Sequence, residues 1–281
     1  MNFLTVPSSN SGRSLGDVFL ALYSSNLLAK KAEPVGFFTH GNHAEVSMFF
    51  RKHLDVILLS DTAEEQSKQM DCVNAHWAAT DIWSKKYPNV QSPWLYFIMN
   101  GVRPFELKLE IPPAVPKVPK KSVLIFPERS DNHRLGDSLF EPFVHEAKAR
   151  GFTVYTNCYL NDNYLISPPI PGTEPISQLS LSDVIAIASD PENIIRGNRS
   201  GVFDLLYFAA PPDAAKLVIV YPPNPDWMWN ACRFKSEFVG ANFPEMYFER
   251  TGLFEFQESE FVADNFAFAF EVPADCLAGQ G

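Results

Sequence analysis

The 281-residue sequence has no Cys-x-x-Cys pair, no Asp-x-Asp and no apolar run approaching the roughly 18 residues that a membrane-spanning helix needs. Each absence narrows the field. Four scattered cysteines (Cys72, Cys158, Cys232 and Cys276) suit neither a zinc knuckle nor a disulfide framework, so reduced thiols are expected. The N-terminus, Met1-Asn2-Phe3-Leu4-Thr5-Val6, lacks the basic-then-apolar order of a secretory signal, and a cytoplasmic protein is expected. Without Asp-x-Asp, the usual metal-diphosphate signature of one large class of sugar transferases is missing. P-loop and dinucleotide-binding glycine fingerprints are missing too, which removes the motif support for those two readings. Positive charge is also scarce. A formal net charge of -10 argues against a broad nucleic-acid or anionic-lipid surface, although a local basic pocket stays open.

What is present describes a globular chain: 46% hydrophobic residues and 20% charged, enough for a large core in one domain or two modest ones. Phenylalanine is abundant, at 24 residues, and clusters such as Phe266-Ala267-Phe268-Ala269-Phe270 read first as core. In the first half, short apolar runs alternate with helical patterns, the mark of β-α-β units and a mainly parallel sheet. Strands are predicted at Phe3 to Val6, Val35 to Thr39 and Val56 to Leu59. Helices are predicted over Gly16 to Lys31 and His43 to His53, where Val18, Phe19 and Leu22, then Val46, Phe49 and Phe50, fall on one face. Thr62 to Tyr87 reads as mostly helical.

The stretch Ile111-Pro112-Pro113-Ala114-Val115-Pro116-Lys117-Val118-Pro119-Lys120-Lys121 is extended by its prolines and marks a linker at 112–121. It divides an N-terminal α/β domain, 1–111, from a C-terminal one, 122–281. The alternation then resumes: strand Ser122 to Phe126, helix Glu141 to Arg150 stopped by Gly151, and strand Thr153 to Thr156. A helix opens at Ser180 with Asp183 completing its cap, followed by strand Asn193 to Arg196, helix Gly201 to Ala210 and strand Leu217 to Tyr221. After Pro222 the alternation fades into an aromatic tail. The expected fold class is α/β, with two Rossmann-like halves and a cleft between them.

The most informative stretch is Arg196-Gly197-Asn198-Arg199-Ser200-Gly201-Val202-Phe203-Asp204, a small polar loop between strand and helix. Such a loop aims backbone N–H groups at an anion. Gly197 and Gly201 allow close approach or positive φ, Ser200 can cap the helix or donate to phosphate, and Arg199 can grip phosphate oxygens. The plainer reading is a Gly-Asn turn, an N-cap serine and an Arg199–Asp204 surface pair, and both stay open at this point.

In these pieces the chain resembles the two-domain GT-B glycosyltransferases, most nearly the heptosyltransferase-like enzymes of bacterial surface polysaccharides. The resemblance is carried by Ser14-Leu15-Gly16-Asp17-Val18, Phe126-Pro127-Glu128-Arg129-Ser130, Gly151 to Asn157, Gly172-Thr173 and Arg199-Ser200-Gly201. It implies that Asp17 activates the acceptor hydroxyl, with His43, or His40, as the alternative base. It implies a nucleotide-sugar donor held by Arg129, Arg134, Asn157, Arg199, Ser200, Gly201 and Asp204. Arginines and a helix start would neutralise the leaving diphosphate without a metal, and no cofactor is expected. The partners implied are that donor and a carbohydrate or glycolipid acceptor; nucleic acid is not among them, while peripheral contact with a membrane or another protein is left open. Where heptosyltransferases carry an acidic residue before the Ser/Thr-Gly pair and a histidine three residues beyond it, this chain has Arg199 and Asp204. A non-catalytic module of the same fold, binding sugar nucleotides or partners, is the rival expectation.

Overall fold

The computed structural model describes residues 2–5, 15–16, 19–20, 22–23, 35–40, 44–50, 55–59, 72–74, 97, 103, 109–128, 134–158, 168–221, 242–244, 250, 252–257 and 270. The first strands, β1 (Asn2–Thr5), β2 (Val35–His40), β3 (Asp55–Leu59) and β4 (Cys72–Asn74), form a parallel sheet in the order β3-β2-β1-β4. A second parallel sheet contains β5 (Ser122–Phe126), β6 (Thr153–Asn157), β7 (Glu174–Ile176), β8 (Ile194–Asn198), β9 (Lys216–Tyr221) and β10 (Leu253–Gln257), in the order β10-β9-β8-β5-β6-β7. Helices α1 (Ala44–Met48), α2 (Glu141–Ala149), α3 (Leu181–Ala188) and α4 (Gly201–Ala209) accompany them.

The second sheet is covered on both faces, so its strands β5 and β9 read as nearly continuous apolar runs. Val123 and Ile125 of β5 face one cluster with Phe143, Val144 and Ala147 of α2, while Leu124 and Phe126 face another with Val184 of α3 and Leu205 of α4. Pro142 sits in the first turn of α2, where its missing N–H costs nothing. Gly151 ends that helix at φ +80°, its N–H reaching the Lys148 carbonyl and the Phe152 N–H that of Ala147.

The expected helix across Thr62 to Tyr87 is corrected at Cys72–Asn74, which lies beside β1 as β4. Three residues are too few to show a period. The tail is corrected as well: Leu253–Gln257 continues the alternation as β10, parallel to β9. Predicted helix His43 to His53 is shorter, with Phe49 and Phe50 already in a turn. β7 was not anticipated, because Pro175 disguises it; a proline is tolerated there since β7 is an edge strand.

The start of α3 is capped as its sequence predicts. The Asp183 N–H donates to Ser180 Oγ at 3.0 Å and the Ser180 N–H to Asp183 Oδ2 at 2.8 Å. Lys117, from the Pro-rich stretch, approaches the same carboxylate at 2.8 Å and also donates to the Gln178 carbonyl. Val118 is buried beside them, so this stretch is pinned along the second sheet rather than hanging free. Burial alone would raise the Asp183 carboxyl, but the hydrogen bonds from Lys117 and Ser180 outweigh it and hold the group below the usual carboxylate range. A depressed folded-state value stabilises the protein above the unfolded value of about 3.9, and that contribution is lost as pH falls through the folded one. Acid titration of the unfolding midpoint is therefore expected to fall less steeply below about pH 4 in Asp183→Asn than in the wild type. Parallel acid limbs would refute this.

Helix α4 is buried all round, from Phe203 through Phe208, as an apolar helix between two layers must be. Phe203 meets Phe126 of β5 edge-on at 6.5 Å between ring centroids. On the other side Phe208 contacts Phe19 at 6.4 Å, Tyr23 at 5.9 Å and Phe97 at 5.2 Å. One apolar cluster thus runs from residues 19–50 through α4 into the second sheet. Of the phenylalanine-rich tail, Phe270 is half-buried and stacks on Phe143 at 5.2 Å, against the edge of the core.

Candidate functional site

In an open parallel sheet, ligands collect beyond the carboxyl ends of the strands where the strand order reverses. In the second sheet the chain runs from β5 outward through β6 and β7, then crosses to β8 and runs the other way, so the reversal lies between β5 and β8. The loops leaving those two strands begin at Pro127 and Arg199. Both were singled out in the sequence.

Gly197 shows why the pattern needs a glycine. It pairs with Phe126 of β5, and an added methyl would overlap the Phe126 carbonyl oxygen and lie 2.8 Å from its carbon. Gly201 is equally confined, but by the other half of the chain: a methyl there would overlap the Gly16 amide nitrogen and lie 3.0 Å from Leu15 Cβ. Close approach is the reason for both glycines, and neither has positive φ.

Arg199 and Asp204 form a bidentate ion pair, with Nη1 to Oδ2 at 2.9 Å and Nη2 to Oδ1 at 2.5 Å. The side chains are only 13% and 7% exposed, and Nη1 also donates to the Ser200 carbonyl at 2.9 Å. Of the two readings left open by the sequence, the pairing is present, but inside the loop rather than on its surface. Ser200 occupies the N-cap position of α4 yet makes no side-chain capping bond, which corrects that expectation. Its Oγ is buried and has no hydrogen-bond partner among the described residues. The first backbone N–H groups of α4 are therefore not taken by their own cap serine.

Arg134 sits across the reversal point. It bridges Glu128 at 3.5 Å and Asp137 at 2.7 Å at the end of the loop after β5. The short 3-10 turn Asp137–Leu139 is tied to the sheet by Arg196 of β8, whose Nη2 donates to the Leu139 carbonyl at 2.7 Å. Arg196 is fully buried, with its guanidinium 4.1 Å from the Phe143 ring centre and 5.0 Å from that of Phe140. Burial pulls its pKa well below the usual arginine value. Its place in a buried strand gave the sequence reading no cue to this role. Asn157 ends β6 with 9% of its surface exposed, next to the buried, reduced Cys158. Burial, with the Glu128 charge adding to it and Arg134 opposing, raises the Cys158 thiol.

Asp17, His43 and Arg129 lie outside the described residues, and His40 is described only as backbone in β2. What is described of the first half is close at hand. Leu15 and Gly16 are helical and touch the start of α4, while Glu45 of α1 accepts from the Ser182 N–H of α3 at 3.3 Å. Both contacts join the first sheet's segments to the beginning of a helix of the second sheet. Nothing in the sequence marks Glu45 for this contact. The string Gly12-Arg13-Ser14-Leu15-Gly16 also matches a hydrolase nucleophile pattern, but that chemistry needs the serine on a sharp turn directly after a strand. Gly12, Arg13 and Ser14 lie outside the described residues.

Among the described residues, no three His, Cys, Asp or Glu side chains come together as metal ligands, and no helix is long and apolar enough to cross a membrane. No protein-family model and no curated protein matches the sequence. Solved structures do match in three dimensions. The chain is similar to a bacterial iron-containing dodecameric glycosyltransferase, TibC, from enterotoxigenic E. coli, with a TM-score of 0.54, 12% identity, 89% of this chain covered and 61% of that one. A structure of TibC described as a heptosyltransferase in complex with ADP-D-beta-D-heptose gives a TM-score of 0.52 at the same identity and coverage. The ADP-heptose LPS heptosyltransferase II of E. coli gives 0.46, with 10% identity, 93% of this chain and 94% of that one. This chain thus spans 61% of the TibC length. The chain has the mixed α/β, parallel-sheet fold of the GT-B glycosyltransferases.

Proposed function

We propose that this chain is a glycosyltransferase that moves a sugar from a nucleotide-diphosphate sugar to a carbohydrate acceptor, in the synthesis of a surface polysaccharide. One observation carries the reading: the helical residues Leu15 and Gly16, which follow β1 in the chain, meet the start of α4 at Gly201. Asp17, the acidic residue proposed as base, follows Gly16 directly in the chain. Residues 1–111 supply the acceptor side and 122–281 the donor side, with the Pro-rich stretch 112–121 between them.

In this reading the donor diphosphate lies against the backbone N–H groups at the start of α4, with the Ser200 hydroxyl as a further donor. Arg129 and Arg134 face it from the loop after β5, and Asn157 borders it. Arg199, paired with Asp204, shapes the loop and lends its charge at the edge of the site. A carboxylate at Asp17, or an imidazole at His43, takes the acceptor hydroxyl proton as the oxygen attacks the anomeric carbon. The bond from that carbon to the diphosphate oxygen breaks, and the nucleoside diphosphate leaves with the electron pair. Helix start and arginines meet the charge that develops on it.

Calorimetric titration with UDP, GDP, ADP and CMP tests the donor site, with ADP first because a structural neighbour holds an ADP-sugar. Saturable binding of one nucleotide is expected, weakened about tenfold or more by Arg129→Ala or Arg134→Ala, the loss of one charged hydrogen bond being about 1.5 to 3 kcal/mol. A folded wild type that binds none of the four would refute the reading. One rival is a binding module of the same fold without transfer activity. If Asp17→Asn abolishes transfer and leaves nucleotide binding intact, the enzyme reading stands; a wild type that binds nucleotide sugars and transfers none of them favours the module.

A further inference from the structure

We infer that Asp204 is a positioning residue that seats the Gly16 turn of the N-terminal half on the start of α4, with Arg199 as its brace. The argument begins with space. A methyl group on Gly16 would overlap Asp204 Oδ2 and lie 3.1 Å from its Cγ and 3.0 Å from Gly201 Cα. A methyl on Gly201 would overlap the Gly16 amide nitrogen and lie 3.0 Å from Gly16 Cα. Gly16, Gly201 and Asp204 therefore fill one another's surroundings, and no side chain fits at either glycine.

Helical spacing carries the contact further. Gly16, Phe19, Leu20 and Tyr23 share one helix face, and Gly201, Asp204, Leu205 and Phe208 share another. Phe208 meets both Phe19 and Tyr23, so the two faces pack along their length from a glycine contact at one end to an aromatic contact at the other. At the glycine end the one polar side chain among these residues is Asp204. It does not move freely there: two hydrogen bonds from Arg199 hold its carboxylate, and Arg199 is itself fixed to the Ser200 carbonyl. The pair is nearly sealed from solvent, so its charges stabilise each other locally. The loop that looked in sequence like a phosphate grip thus also holds the opposite half in register.

Glu45 on the Ser182 N–H is a second contact between the halves. Two contacts at helix starts and a shared aromatic cluster fix an orientation, whereas a single contact would permit rotation about itself.

Amide hydrogen exchange without any nucleotide tests the inference. In Asp204→Asn, which keeps the shape of the side chain and removes its charge, exchange at Phe19, Leu20, Leu22 and Tyr23 is expected to rise at least tenfold while β6 stays as protected as in the wild type. Unchanged exchange at these four residues, with any rise confined to α4, overturns it. If Asp204→Asn does not fold, Gly16→Ala decides, since it keeps both charges and crowds the Asp204 carboxylate from the other side: faster exchange reaching Phe203 to Leu205 supports the inference, and faster exchange confined to the N-terminal half overturns it. The measurement is independent of the proposed activity. A protein that binds no nucleotide can still pass it, and a nucleotide-binding protein can fail it.

Discussion

Asp204→Ala is expected to lower the free energy of unfolding by about 3 to 5 kcal/mol, the usual loss when one partner of a buried ion pair is removed and the other stays behind. The stranded partner here is Arg199, 13% exposed and surrounded by its own loop. Most of the loss reflects the uncompensated guanidinium rather than the net strength of the pair, because both charges were desolvated to form it. The combination Arg199→Met with Asp204→Ala is therefore expected to be more stable than Asp204→Ala alone. Urea unfolding followed by circular dichroism measures both variants, and a loss below about 1 kcal/mol for Asp204→Ala would place the pair in the weak class of exposed ion pairs.

Gly197→Ala is expected to cost about 3 kcal/mol, the upper end of the usual range for overpacking a buried site. The reason lies in what the new methyl meets. It would overlap the Phe126 carbonyl oxygen, a backbone atom of the neighbouring strand, so no side chain can turn aside to admit it. Relief requires β5 and β8 to separate at the point where the sheet order reverses. Gly136→Ala is the control, since its methyl would meet only Ser138 Oγ at 3.6 Å, and Gly136 lies at φ -60°. Near-equal stability of the two variants would show that the strands part readily.

Much of this fold was legible in sequence, and the reasons are local. β5 and β9 lie between two covered faces and so announce themselves as apolar runs. Ser180 and Asp183 predicted a capping box because both halves of that device lie within four residues of chain. Gly197 and Gly201 were read as positions of either close approach or positive φ, and nothing local could reveal that Gly201 closes on Gly16. β4 and β7 were missed because three residues cannot display alternation, and β10 because its flanking tail is aromatic rather than periodic. Ser200 misled for a related reason: its place before the helix fits a cap, but capping also requires the hydroxyl to turn back toward α4. The partners of Arg199 and Glu45 are decided by tertiary placement. Of the expected site, Arg134, Asn157, Arg199, Ser200, Gly201 and Asp204 fall on the carboxyl side of the second sheet, and a base at Asp17 or His43 stays a proposal.

Helix α4 is packed on two sides at once within one apolar cluster, since Phe203 lies on β5 and Phe208 on Phe19, Tyr23 and Phe97. A chimera that joins one half of this protein to the other half of a relative could not simply be spliced within the Pro-rich stretch. The incoming N-terminal half would have to bring a glycine for Gly201 and an aromatic pocket shaped for Phe208, or the outer face of α4 would have to be redesigned with it. For the inheritance of parts between such proteins, the natural unit of exchange is a half together with the helix face that fits it, and that boundary runs through the middle of a helix rather than through a linker.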